Sequence, residues 1–274
     1  MRTSGSSTMG SPAAFSADRL PITGAGPVCA IHQPNLLPRL STVAKLFAAD
    51  VWVVLDDVQF ARRDYQHRAR LGSLSSDSTR WVSLPTHLPD GRATLIRDAR
   101  LADPARARRQ LEGVLREQYR PSPIWPAFAE QLSSLLDLFD ATDRTAEITE
   151  ASTLLLLGTL GWTGRVVRSS YLAAGAGRTQ RLVDLCRSVG ASAYLCGTGG
   201  SQYIEPDRFT NVGIGVRQFT VPATGVWAGA RSLSAVHAML LHGPRLVGET
   251  IRESAMWAGG SHPNSFAQAG RAHG

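Results

Sequence analysis

His32 closes a short apolar run, Val28–His32, and is followed by Gln33-Pro-Asn-Leu-Leu-Pro38. A second apolar run, Val51–Leu55, ends on the acidic pair Asp56-Asp57, with Gln59 two positions beyond the second acid. Between the runs stands Lys45, the single lysine among 29 Lys and Arg residues. An imidazole with an unperturbed pKa near ~6.5 suits proton transfer or contact with an oxyanion. A carboxylate beside it orients the ring or binds an incoming amine. In a chain that uses Arg wherever either base serves, a retained lysine marks a place for a compact, titratable ammonium, which a rigid guanidinium cannot replace. Plainer roles stand beside these. A lone histidine is commonly structural, adjacent aspartates form turns, and on an ideal helix Lys45 falls nearly opposite the face of Val43, Leu46 and Phe47, where water would cover it.

The elements that must position these groups are legible. Val28–His32 reads as a buried strand. Pro34 and Pro38 exclude a regular strand or helix across 33–38, so that stretch is a shaped loop. Ser41 can cap a helix to about Ala49. The unbroken run Val51–Leu55 suits a strand buried on both faces of a parallel sheet. Strand, loop, helix, strand is a βαβ unit, and ligands of such units sit at the carboxyl ends of the strands. His32 and the Asp56–Asp57 pair would share that edge. Neighbouring residues on a regular strand point to opposite faces, so Asp56 and Asp57 reach one site together only where the strand ends.

Farther along, Trp81–Pro85 and Thr94–Leu101 read as strands joined by the turn Pro89-Asp-Gly-Arg92. Asp103-Pro104 starts a helix to about Tyr119. Ile124–Phe139 and Thr145–Leu160 are helical, and Arg165–Ser169 is a strand. Thr179 caps a helix to Val189 closed by Gly190. Ala193–Cys196 is a buried strand, Gly213–Val221 another, and Ser232 caps a helix closed by Gly243. The pattern predicts an α/β fold with a mainly parallel, Rossmann-like sheet and a helical insertion at about 103–160, in one domain spanning 27–255. Residues 1–26 and 256–274 read as tails without periodicity.

Three further features carry weaker signals. Arg68 and Arg70 follow Tyr65-Gln-His67 and offer an anion contact or surface charge. Gly197-Thr-Gly-Gly200, after a strand, suits an anion-binding turn, without the lysine and spacing of a P-loop. Cys29, Cys186 and Cys196 are an odd number without metal-site spacing, as expected of free thiols in a reducing cytoplasm; Cys196 alone ends a strand beside a glycine turn. No GxSxG elbow is present. The net charge of +7 is scattered and not clustered with aromatics, which argues against nucleic acid and for a small anionic ligand. No apolar run reaches the roughly 18 residues of a membrane helix, and the first residues lack the apolar centre of a signal peptide.

The first motif resembles the WbqC-like protein family. It comprises His32, Gln33, Pro34, Pro38, Lys45, Asp50 and Asp56-Asp-Val-Gln-Phe60, with His67-Arg68 in place of an Asn-Arg pair and Trp81–Pro85 as a Trp-x-x-x-Pro strand. Tyr119 and Phe128, the stretch Leu195–Tyr203 and the helix Leu233–Gly243 extend the likeness, which covers about 29–245. The chain departs from the pattern at Leu36 and Arg39, where aromatics are expected; an apolar and a cationic residue there favour a more anionic ligand. The resemblance implies a biosynthetic transferase that places an acyl or aminoacyl group on an amine, such as an amino sugar or natural-product intermediate.

The expected catalytic groups are His32, Asp57 and Lys45. The expected substrate contacts are Gln33, Asn35, Asp56, Gln59, Arg68, Gly197, Thr198, Gly199 and Tyr203. No metal and no tightly bound cofactor are expected. Without an internal nucleophile the acyl group would arrive activated, as a coenzyme A or carrier-protein thioester, and His32 would deprotonate the amine. An acyl or peptidyl carrier protein is therefore an expected partner; nucleic acid and membrane are not. Two rival readings are a nucleotide-dependent ligase or nucleotidyltransferase, since a His-ended strand, shaped loop and helix resembles HIGH-type nucleotide folds in outline, and a non-catalytic partner-binding scaffold.

Overall fold

A computed structural model describes residues 26–200 and 204–259. Nearly all of both expected tails lies outside the described residues, as does Tyr203. In chain order the elements begin with β1 (Val28–His32), α1 (Leu40–Phe47) and β2 (Val51–Val54). An antiparallel pair follows, β3 (Arg68–Gly72) with β4 (Thr79–Ser83), then the short pair β5 (Thr86–His87) and β6 (Arg100–Leu101). Three helices come next: α2 (Pro104–Tyr119), α3 (Trp125–Ala141) and α4 (Thr145–Thr159). The chain closes with β7 (Arg165–Arg168), α5 (Arg178–Ser188), β8 (Ala193–Gly197), α6 (Pro206–Thr210), β9 (Gly215–Phe219), α7 (Ala235–His242) and α8 (Pro244–Gly259).

The main sheet has five strands in the order β7-β2-β1-β8-β9, every neighbouring pair parallel. Its order and crossovers are Rossmann-like, as the buried apolar runs predict. Alternation along the strands sends Ala30, Trp52 and Val54 to one face, under α1, α4, α7 and α8. Cys29, Ile31, Val51 and Val53 go to the other, under α5 and α6. β2 is buried along its whole length, so none of its residues needs to be polar. The helices α2–α4 share the apolar core of the first face and so form its outer layer.

Asp103 caps α2 as its type and position predict, accepting a hydrogen bond from the Arg106 amide at 2.9 Å, with Pro104 in the first turn. Gly190 (φ 71°) and Gly243 (φ 91°) end α5 and α7 in left-handed backbone, where glycine avoids the Cβ clash. Six expectations need correction. Thr179 and Ser232 do not cap their helices: α5 begins at Arg178 behind Gly177, with no side-chain cap, and α7 begins at Ala235 behind Ser234, whose side chain accepts from the Val236 amide. Ser41 does not cap α1: the helix begins at Leu40, with Arg39 at the cap position and no side-chain cap. The amides of Leu40 and Ser41 instead donate to the carbonyls of Leu233 and Ala230. Thr94–Leu101 is not a strand but a turn of 3-10 helix over Ile96–Asp98, followed by the two residues of β6. The strand that pairs with Thr79–Ser83 is β3, which a cluster of arginines concealed. Finally, α8 carries helix through Gly259, so residues 256–259 belong to it and not to a tail.

Candidate functional site

His32 ends β1 in the middle of the sheet, with β2 on one side and β8 on the other. This is the switch point of the strand order, where successive crossovers leave in opposite directions and open a crevice at the carboxyl ends. A cleft of about 410 Å³ lies there, walled by the ends of β1, β8 and β9 and by α1. Its lining includes His32, Lys45, Arg39, Arg231 and the turn Gly197–Gly200, and among the described residues that line it none carries a carboxylate.

The loop between β1 and α1 is fixed from behind. Ser152 and Thr153 of α4 both donate to the Asn35 carbonyl, at 3.2 and 3.1 Å, and the Leu37 amide donates to Ser152 Oγ at 2.9 Å. Leu37 is held at φ 40°, a left-handed conformation that costs a non-glycine residue about 1 kcal/mol or more. This strained turn sets Asn35 behind His32 and Arg39 at the cleft mouth.

Lys45 is not on the surface: it is 7% exposed. The helix α1 is enclosed on several sides, and its Thr42 and Lys45 are buried along with its apolar residues. Lys45 Nζ lies 3.4 Å from the Ile31 carbonyl, to which it donates, and 3.5 Å from His32 Nδ1. Burial pulls its pKa down to about 8; nearby Cys196 and Cys29 oppose that shift and Arg39 adds to it. Burial, with the charges of Lys45 and Arg39, also holds His32 well below its ordinary value, so the ring is neutral at pH 7.

Both ring nitrogens of His32 have protein partners. Nδ1 faces Lys45, and Nε2 lies 3.2 Å from Asn35 Nδ2. With the Asn35 amide donating to Nε2, the ring proton sits on Nδ1 and points at Lys45, which then accepts it as a free amine. If Lys45 instead donates to Nδ1, as an ammonium or as a free amine, the ring proton sits on Nε2, the Asn35 amide must turn its oxygen to the ring, and a free amine keeps its lone pair for another partner. The Asn35 Oδ1 atom is buried and unpartnered in the first arrangement. The trio therefore has two protonation patterns, and both Lys45 and His32 line the cleft.

The acidic pair sits elsewhere. Asp56 is 4% exposed and accepts from Ser169 Oγ (3.1 Å), the Ser170 amide (3.0 Å) and Ser170 Oγ (2.7 Å). Asp57 accepts from Ser169 Oγ and pairs with Arg181 of α5 at 2.5 Å. Neither touches His32, so Asp57 does not orient the imidazole. Together they pin the turn that follows β7 to the end of β2. Burial alone would raise the Asp57 pKa; the bonds from Ser169 and Arg181 and the charge of Arg181 outweigh it and hold the carboxyl below its usual range. A depressed carboxylate pKa contributes stability above the unfolded value, and that stability is lost as pH falls through the folded value. Asp57→Asn should therefore cost about 1 kcal/mol at pH 6 and less near pH 2. Denaturation midpoints at the two pH values check this, and an equal loss at both would refute it.

Other expected contacts also fall outside the cleft. Gln33 Oε1 accepts from Gln66 Nε2 at 2.9 Å. Gln59 is exposed and donates to the Arg92 carbonyl. Arg68 donates to the carbonyls of Asp64 and Arg63 and lies over the Trp81 ring, its Cζ 4.6 Å from the centroid. These loop carbonyls and the ring hold it away from His32. Gly197, Thr198 and Gly199 do line the cleft. A Cβ at Gly197 would sit 3.8 Å from Lys45 Cδ, so the turn runs directly past the lysine stem. Cys196 is fully buried, its thiol pushed up by burial with Lys45 opposing, and it is not a cleft residue. Among the described residues no group of His, Cys, Asp and Glu could hold a metal ion, and no helix is long and apolar enough to cross a membrane. Arg231 escaped the sequence reading. It lies in a loop without periodicity, and no signal marked it.

The fold, the motif after β1 and the cleft together define the class. The chain matches the WbqC-like protein family over residues 33–233 and belongs to that family. It is similar to the uncharacterized protein Rv1507c of Mycobacterium tuberculosis (strain ATCC 25618 / H37Rv), 23% identical over 192 residues, which cover 69% of this chain and 80% of that protein. No solved structure matches the chain.

Proposed function

We propose that the protein is a biosynthetic transferase, forming an amide by moving an acyl or aminoacyl group from an activated thioester to an amine. The observation that supports this most is Lys45, a buried lysine with a pKa of about 8 facing a cleft at the switch point. A base of that strength takes a proton from an attacking amine near neutral pH. The amine nitrogen bonds to the thioester carbonyl carbon, the carbon–sulfur bond breaks, and the thiolate leaves with the electron pair. Lys45 holds the proton removed from the amine and returns it to the thiolate. His32 and Asn35 keep the lysine in place and set which form it takes.

The cationic lining favours an anionic small molecule as one substrate. The donor is a thioester of coenzyme A or of an acyl or peptidyl carrier protein, and the acceptor an amino sugar or natural-product amine. No tightly bound cofactor takes part, and the reaction is cytoplasmic, where the three buried free cysteines stay reduced.

The test is a matrix of thioesters against amines, read by thiol release and by mass spectrometry of the product. Amide formation without ATP is the expected result. Product that appears only with ATP would replace this reading with nucleotide-dependent ligation. Failure of thioesters, ATP and amino sugars alike to raise the melting temperature would replace it with a scaffold role.

A further inference from the structure

Three cations converge on one small cleft. Arg39 and Arg231 stand at its mouth and Lys45 at its floor, with the Gly197–Gly200 turn along one side. The arginines are positioned by backbone. Arg39 Nη1 donates to the Arg231 carbonyl at 3.0 Å, and Arg231 Nη2 donates to the Val221 carbonyl at 3.4 Å. Arg39 is also stacked over the Tyr65 ring, its Cζ 4.5 Å from the centroid, and its Nε is buried without a partner. A buried donor in that state is unfavourable unless something accepts from it. Cations held together with no carboxylate between them repel one another, and the fold tolerates this at a place where a ligand brings the counter-charge.

A single carboxylate would leave much of this positive charge unmatched. A phosphate ester or diphosphate brings two or more negative charges and several acceptor oxygens. It suits planar guanidinium forks and a glycine turn that lets oxygens approach the backbone. The first turn of α1 does not take part, since its leading amides already donate to Ala230 and Leu233.

We infer that Arg39, Arg231 and the Gly197–Gly200 turn form a phosphate seat, which holds the phosphate or diphosphate of a substrate while its reactive end lies at Lys45. The inference rests on the transferase reading only in taking the same cleft as the place of reaction. Two sources of this chemistry are open to it: the donor, through the diphosphate of coenzyme A, or the acceptor, through a sugar nucleotide.

Calorimetric titration with inorganic pyrophosphate, coenzyme A, ATP and uridine diphosphate N-acetylglucosamine tests it on the full chain. The expected result is binding of pyrophosphate, weakened at least tenfold in Arg231→Met. That variant removes the charge and keeps the carbonyl that Arg39 uses. A second variant guards against misfolding: a side chain at Gly199 meets open space, with no atom within 4 Å of a Cβ there. Gly199→Glu should weaken pyrophosphate binding as much, by charge alone. Coenzyme A binding tighter than the other probes assigns the seat to the donor, and the sugar nucleotide binding tightest assigns it to the acceptor. Failure of all four probes to bind, or binding unchanged in both variants, overturns the seat. If the seat binds as expected and no thioester is consumed, the transferase reading fails while the seat stands. If thioester turnover proceeds in Arg231→Met with an unchanged KM for every phosphorylated substrate, the seat fails while the transferase reading stands.

Discussion

Lys45→Met should lower thioester turnover by about 10²–10⁴-fold, the range for losing a positioned acid–base group, and should raise the melting temperature. The second effect follows from the cost of the buried charge. The lysine's pKa falls from 10.5 to about 8 on folding, so the unfolded chain holds the proton more tightly. Between those values the unfolded state binds more protons, and the stability of the wild type rises with pH across that window. Below pH 8 the whole cost of the buried charge is present, roughly 3 kcal/mol at 1.36 kcal/mol for each pKa unit. Methionine fills similar space without charge. The long contacts to the Ile31 carbonyl and His32 are lost, worth about 1 kcal/mol each or less. A net gain of about 1–2 kcal/mol is expected at pH 7, shrinking toward pH 10. Lys45→Arg keeps the charge but cannot give up its proton and should be as inactive as the methionine variant. Fully retained turnover in Lys45→Arg would remove Lys45 from the chemistry. The measurements are turnover and melting temperature at pH 7 and pH 9.5.

Asp56→Ala should do the opposite: cost about 3 kcal/mol of stability and leave turnover within about threefold at temperatures where the protein is folded. The buried carboxylate accepts from the Ser170 amide and hydroxyl and shares the Ser169 hydroxyl with Asp57. Removing it strands the two Ser170 donors and leaves a void, each among the mechanisms that produce large losses. Chemical denaturation and turnover measured on the same preparation separate the two effects. A stable but inactive Asp56→Ala protein would return the acidic pair to the reacting centre.

The strands of the sheet were legible because buried parallel strands need unbroken apolar runs, and Val28–His32, Val51–Leu55 and Ala193–Cys196 have them. The cleft's place followed from the βαβ unit. Lys45 shows where such reading stops. A helical wheel puts it opposite the apolar face, but a wheel assumes one solvated side, and α1 is covered by α4, α7 and α8 as well as the sheet. The Asp56–Asp57 pair misled for another reason. Two acids at a strand end suit either chemistry or a clasp, and the choice depends on Ser169 and Arg181, far along the chain. β3 was within reach, because Ala69 and Leu71 are buried while Arg68 and Arg70 are half-buried, a period-two signal beneath the charge. Arg231 was not, since only the folded chain brings it beside Arg39.

The central strand has consequences for how the chain assembles. β1 pairs with β2 through a short crossover, but its other edge stays bare until β8 arrives, after the whole α2–α4 layer and β7. Pairings this distant in sequence close slowly. During synthesis the β8-facing edge of β1 has no partner strand until residues 193–197 have been made, and an unpaired edge is a template for pairing with other chains. Lys45 and His32 emerge early, yet the turn that runs past the lysine stem emerges late. A fragment ending before β8 would hold Lys45 without one wall of its cleft, so the cleft is complete only once residues 193–200 and Arg231 have joined it.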